Sequence, residues 1–147
     1  MESTVLADGL EFPEGPVWLG PCRVAFTQIR GQCISLYENG AVRKIADTGG
    51  GANGATLGPD NALYVSNNGG LSLGHEGPWF APEPIPGRIQ RVTLAGEVRD
   101  VATNLPGKPP NRPNDLCFGP DRLLYYTDPH NWEDLANLGT GRVGRTT

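Results

Sequence analysis

Three oxygen-bearing side chains open similar segments of the chain, and their types suit the binding of a hard cation. Glu14 precedes Gly-Pro-Val-Trp, Asn53 precedes Gly-Ala-Thr-Leu, and Asn114 precedes Asp-Leu-Cys-Phe. Carboxylate and amide oxygens are the ligands that Ca²⁺, Mg²⁺ and Mn²⁺ prefer. Arg112, two residues before Asn114, would add a permanent positive charge beside them. These four residues are therefore the candidates for binding a metal ion and a polar substrate.

Each candidate also has an ordinary structural interpretation. Asn53 with the glycine that follows is a common turn dipeptide, and Asn114 could cap a turn by bonding to nearby backbone. Glu14 lies between a proline and a glycine, where a solvated loop carboxylate is a usual outcome. Asp60 and Asp121 belong to Gly-Pro-Asp turns, and we predict that both are structural. Both interpretations of the first three residues remain open at this level.

Internal repeats explain why the three residues occupy matching places. A Gly-Pro pair at 20–21, 58–59 and 119–120 is followed by an apolar strand in each case, with Phe26, Tyr64 and Tyr125 six positions after the glycine. A second hairpin type alternates with the first, and its Asn39-Gly40 turn favours positive φ at both residues. Two hairpins make a four-stranded unit, which recurs about every 40–60 residues.

Four-stranded units repeated along a chain are typical of a β-propeller, in which they are arranged radially as blades. A β-sandwich would explain the alternating strands but not the repeated pair of hairpins. We predict an all-β fold with about three four-stranded blades, forming one incomplete propeller domain over residues 1–147. A long Gly- and Pro-rich insertion is expected at about 67–86. Residues 141–145 restart the second hairpin type close to the end of the chain, which predicts a truncated propeller that self-associates or is partly ordered.

Composition and charge exclude several other classes of protein. With 21 Gly and 14 Pro residues, few windows are free enough of breakers for a helix. The net charge of −4, without a block of like charges, argues against nucleic-acid and membrane-surface partners. No apolar run is long enough to span a bilayer, and no signal peptide is visible. The three cysteines lack CxxC spacing, so we expect reduced thiols in a cytoplasmic protein, with Cys22 and Cys33 as buried fillers.

Three segments resemble the motifs of the regucalcin/gluconolactonase family: residues 12–18 (FPEGPVW), 112–116 (RPNDL) and 126–129 (YTDP). The resemblance spans almost the whole chain but only the first half of a typical member. It implies a six-bladed propeller that holds one divalent metal, usually Ca²⁺, with Zn²⁺, Mg²⁺ or Mn²⁺ as alternatives, and that hydrolyses sugar lactones and related esters. By this resemblance Glu14 matches a metal ligand, Asn114 faces metal and substrate, and Arg112 contacts substrate. Asn53 has no firm counterpart and stays a substrate-side candidate.

The family's other metal ligand and its catalytic aspartate come from later blades. We therefore assign no catalytic residue within this chain and expect it to be inactive alone, with self-association or a missing C-terminal half completing it. A carboxylate from a later blade would act as the general base. Two alternatives use the same repeats: a non-catalytic propeller that binds partners, and a propeller like strictosidine synthase, which would not depend on the metal residues.

Overall fold

The computed structural model describes residues 2–70, 81, 83–107, 111–130, 136 and 139–146, and in these residues it contains strands and no helix. None of the described segments could span a membrane as a helix. The central part of the predicted insertion, 71–80 and 82, lies outside the described residues. The strands are β1 (Pro13–Gly20), β2 (Arg23–Gln28), β3 (Cys33–Glu38), β4 (Ala41–Asp47), β5 (Ala52–Leu57), β6 (Leu63–Asn67), β7 (Arg88–Val92), β8 (Val98–Ala102), β9 (Leu116–Phe118), β10 (Leu124–Asp128) and β11 (Arg142–Thr146).

The strands form three antiparallel sheets, each built from strands that are consecutive in sequence. The first sheet has the order β1-β2-β3-β4, and the second has the order β5-β6-β7-β8. The third sheet contains β9, β10 and β11 in the described residues, in the order β11-β10-β9, which agrees with the predicted partial third blade. In this sheet β11 takes the place that β7 takes in the second sheet. The all-β, partial propeller fold is confirmed.

The sheets stack face to face, and the second sheet is covered on both sides. Leu63 and Val65 pack toward the first sheet, in a core completed by Ala25, Ile34, Leu36, Ala46, Ala52, Val17 and Val92. The neighbouring Tyr64 points the other way, toward the third sheet, where its ring meets Phe118 edge-on at 5.0 Å. Adjacent apolar residues on one strand therefore serve two different cores.

The turns follow the chemistry of their sequences. Asn39 and Gly40 have φ values of 50° and 90°, as the predicted two-residue turn requires. Asp60 accepts a hydrogen bond from the backbone of Ala62, and Arg91 at 2.7 Å lowers the pKa of its carboxyl. The predicted structural roles of Asp60 and Asp121 are confirmed, since Asp121 binds the Leu123 backbone at 3.1 Å in the same manner.

The prediction for the cysteines is half right. Cys33 is buried in β3, and burial raises the pKa of its thiol. Cys22 is exposed, because the β1–β2 connection is a two-residue turn that places it at the tip with φ of 53°. The expectation that Cys22 is a buried filler is therefore wrong.

Truncation of the core between the first two sheets should unfold the protein far more readily than truncation at a strand end. Leu36 is 0% exposed and Leu57 is 38% exposed. We expect Leu36→Ala to lower the free energy of unfolding by about 2–5 kcal/mol, and Leu57→Ala by less than about 1 kcal/mol. Urea denaturation followed by circular dichroism checks this. Equal losses for the two variants would contradict the face-to-face stacking.

Candidate functional site

The three sheets meet at the starts of β1, β5 and β9, the first strand of each sheet, which we call the inner strands. Glycines at these starts let the backbones approach closely. A Cβ atom on Gly15 would lie 2.7 Å from the carbonyl oxygen of Asn53, and one on Gly54 would lie 2.7 Å from that of Asn114. The Gly54 amide also donates to the Asn114 carbonyl at 2.8 Å. The beginnings of β1, β5 and β9 therefore follow one another along one end of the molecule.

Buried hydroxyl groups fix the same junctions. Thr27, which pairs with Glu14 across β1 and β2, donates its hydroxyl proton to the Asn53 carbonyl. Ser66 donates to the Asn114 carbonyl at 2.6 Å and accepts a bond from Gly54 N at 2.9 Å. Both hydroxyl-bearing residues are 0% exposed. The two bonds place Glu14, Asn53 and Asn114 at equivalent positions in their sheets.

Two of the predicted candidates contact each other directly. The Asn53 side chain is buried and donates through Nδ2 to Asn114 Oδ1 at 2.6 Å. Asn53 lies within β5, so its interpretation as a turn residue is wrong. An amide oxygen has two lone pairs, so Asn114 Oδ1 can accept this bond and still bind a cation or a hydroxyl group.

Arg112 extends from the segment before β9 to the end of β6. Its Nη1 donates to the Asn68 carbonyl at 3.1 Å, so the guanidinium lies against the second sheet although the residue precedes the third. Asn68 is fully buried, and among the described residues its Nδ2 has no hydrogen-bond partner. A cation and an amide donor thus lie close together, an arrangement suited to an oxygen-rich ligand.

Glu14 differs from the asparagines because its carboxylate is exposed. Among the residues that the structure describes, no hydrogen bond or ion pair is formed by this carboxylate. The described residues also hold no cluster of three or more His, Cys, Asp or Glu side chains. The side-chain oxygens of Glu14 and Asn114 are the type of ligand that a hard divalent cation binds, but they are fewer than the 6–8 oxygens that Ca²⁺ takes.

Asp128 organises the segment that presents Arg112 and was not predicted to have a role. It is 1% exposed, and its Oδ1 accepts bonds from the backbone amides of Arg112 at 3.0 Å and His130 at 2.8 Å. Its Oδ2 accepts a bond from the Asn111 side chain at 3.2 Å. The internal repeat could have indicated this role. Asn67 ends β6 as Asp128 ends β10, and Asn67 Oδ1 likewise accepts a bond from the amide two residues later, that of Gly69.

Comparison with known proteins agrees with this architecture, although no family model matches the chain. A gluconolactonase from Zymomonas mobilis is 29% identical over 140 residues, covering 85% of this chain and 35% of the relative. A solved protein provisionally named gluconolactonase is 26% identical to this chain and superimposes with a TM-score of 0.66. The match covers 95% of this chain and 47% of that protein's chain. The resemblance to gluconolactonases is confirmed.

More distant structures support the propeller fold alone. A gluconolactonase from Xanthomonas campestris superimposes with a TM-score of 0.72 at 20% identity over 97% of this chain, which corresponds to 46% of that structure. An aldose sugar dehydrogenase from Streptomyces coelicolor, bound to PQQ, reaches 0.67 at 19% identity. This gluconolactonase-like chain therefore spans about a third of its curated relative and just under half of the solved structures.

Removing the Asp128 carboxylate should loosen the segment that holds Arg112. We expect Asp128→Ala to lower the free energy of unfolding by about 3 kcal/mol, because two backbone amides lose their acceptor. The exposed turn residue Asp121 provides the control, and Asp121→Ala should lower the free energy of unfolding much less than Asp128→Ala does. Urea denaturation gives the two values, and hydrogen exchange at the Arg112 and His130 amides should accelerate only in Asp128→Ala. Unchanged exchange there would contradict the role given to Asp128.

Proposed function

We propose that this chain forms part of a divalent-metal-dependent lactonase that hydrolyses gluconolactone-type sugar lactones or related esters. One observation supports the site: Asn53 and Asn114 are bonded to each other at 2.6 Å at the starts of adjacent inner strands, in the position that Glu14 occupies in β1. The names of the relatives support the reaction class. The proposed substrate is a small, oxygen-rich ring, which matches a site made of amide groups and one guanidinium.

Glu14 and Asn114 would hold the cation, with Ca²⁺ as the first choice and Zn²⁺, Mg²⁺ or Mn²⁺ as alternatives. Such an ion supplies Lewis-acid polarisation of a lactone carbonyl. Arg112 would orient the substrate through its fixed positive charge, and its bond to Asn68 limits the positions it can take. Asn53 would hold the Asn114 amide in one orientation, so that its oxygen faces the ion and the substrate.

A non-catalytic role for the same site is the second candidate. It is favoured by the donor set, since the described residues contain no cluster of three acidic or imidazole groups. We assign no general base to the described residues. A propeller that binds a sugar acid or lactone without turning it over would need the same Asn53, Asn114 and Arg112 groups but no base.

A metal titration of the 147-residue chain tests the cation site. We expect saturating Ca²⁺ to raise the melting temperature, because an ion at 100 times its Kd stabilises the folded state by about 2.7 kcal/mol. Glu14→Gln should abolish this rise, whereas Glu97→Gln, an exposed carboxylate on the β7–β8 turn, should retain it. Equal stabilisation of both variants by Ca²⁺ would show that Glu14 is not a ligand of the ion.

A lactone assay separates turnover from binding. Proton release from glucono-δ-lactone, corrected for spontaneous hydrolysis, should stop on addition of a chelator if the chain is a lactonase. Calorimetric binding of the lactone that is lost in Arg112→Gln, without proton release above background, is expected both for the non-catalytic alternative and for a lactonase that lacks its general base. Proton release that depends on the metal would contradict the non-catalytic alternative. Absence of both binding and turnover would contradict both proposals.

A further inference from the structure

The first and third sheets each leave one face without a neighbouring sheet in the described structure. On the first sheet this face contains Trp18, which pairs with Val24 and is 71% exposed. On the third sheet it contains Val143, which pairs with Thr127 and is 75% exposed. We call these the β1 face and the β11 face. Large exposed apolar side chains grouped on one sheet face are typical of a surface that another protein covers.

The β1 face has the shape of a docking groove. An apolar groove of about 310 Å³ runs between the N-terminal segment and the first sheet. It is lined by Val24, Phe26 and Tyr37 together with residues that include Leu6 and Leu10. The equivalent face of the second sheet holds Leu63 and Val65 and is filled by the first sheet. The groove therefore marks the place where a preceding sheet would pack.

The β11 face carries a hydroxyl group of the kind that joins neighbouring sheets twice within the chain. Thr127 occupies in β10 the place of Thr27 in β2 and Ser66 in β6. Like Ser66, it accepts a bond from the amide that follows an inner-strand asparagine, in this case Asp115 N at 3.2 Å. Thr27 and Ser66 give their protons to the next sheet, at the carbonyls of Asn53 and Asn114. The corresponding acceptor in a following sheet would be the carbonyl of a residue equivalent to Glu14.

We propose that two copies of this chain join head to tail, the β11 face of each copy against the β1 face of the other, to close one propeller ring. Both halves of the junction are present on the same chain, so identical copies suffice. The chain corresponds to 46–47% of two solved relatives, so two copies together match the length of one such relative.

The proposed junction between two copies differs in one respect from the two junctions between sheets within the chain. Asp115 stands where Gly15 and Gly54 stand, so the backbones cannot approach as closely there. The contact would depend on Thr127 and on the apolar faces. A ring formed by two copies contains two such junctions at once, and the second forms at a high effective concentration after the first.

The ring would also change the composition of the candidate site. Each copy would bring Glu14, Asn53 and Asn114 to the common axis, doubling the oxygen donors available to a cation. Two carboxylates and several amide oxygens approach the number that Ca²⁺ requires. The proposal does not depend on the lactonase activity, because its test uses neither metal nor lactone.

Sedimentation equilibrium of the 147-residue chain is the first test. We expect a mass of twice 15.7 kDa that does not increase further with concentration. A monomer over the whole concentration range would overturn the proposal, as would a series of growing species, which indicates an open chain of copies instead of a closed ring.

Two exposed substitutions test which faces meet. Trp18→Glu on the β1 face and Val143→Lys on the β11 face alter solvent-exposed side chains, and circular dichroism should show both variants folded. Each alone should weaken dimerisation by roughly tenfold or more. An equimolar mixture should restore it, because one junction is then unaltered and the other places Glu opposite Lys. Loss of dimerisation in one variant only, or no recovery in the mixture, would overturn the head-to-tail arrangement.

Discussion

Two buried hydroxyl groups and two glycines determine how the sheets of this protein meet. Thr27 and Ser66 each donate to a carbonyl of the next sheet, and Gly15 and Gly54 allow the inner strands to approach to a distance that a Cβ atom would prevent. A buried hydroxyl without a partner is costly, so each sheet favours one position of its neighbour. The stacking of the apolar cores follows from that position.

The candidate site depends on the same junctions. Asn53 and Asn114 present their backbone carbonyls to the hydroxyl groups, and this leaves their side chains to contact each other above the strand starts. Arg112 is held from two sides, by Asp128 at its backbone amide and by Asn68 at its guanidinium. Side chains on rigid elements with buried supporting partners lose little entropy when a ligand binds.

Much of this arrangement is predictable from the repeats, because they record equivalent positions. The matching of Glu14, Asn53 and Asn114, the alternating hairpins and the Asn39-Gly40 turn all follow from spacing and turn chemistry. The Gly-Pro alignment is misleading in the first unit. The β1–β2 turn has two residues and the β5–β6 turn has five, so Phe26 lines the open β1 face whereas Tyr64 faces the next sheet.

The remaining features depend on contacts between residues distant in sequence. Asn53-Gly54 is a turn dipeptide by local preference, but in the structure it forms an irregularity within β5, between the paired residues Ala52 and Ala55, and Asn53 bonds to Asn114. The role of Asp128 can be recognised only in the structure, where the end of β10 lies beside the backbone of Arg112, which is 16 residues earlier in the sequence. Local propensity contains no information about such partners, and only the parallel with Asn67 points to them.

Every strand pairs with a strand that is its neighbour in sequence. Each sheet can therefore assemble from one continuous stretch of the chain, 13–47, 52–102 or 116–146, without waiting for distant segments. On a ribosome the first sheet would be able to form before the second is synthesised, and each finished sheet would then offer a template for the next. The order of synthesis and the order of stacking are the same.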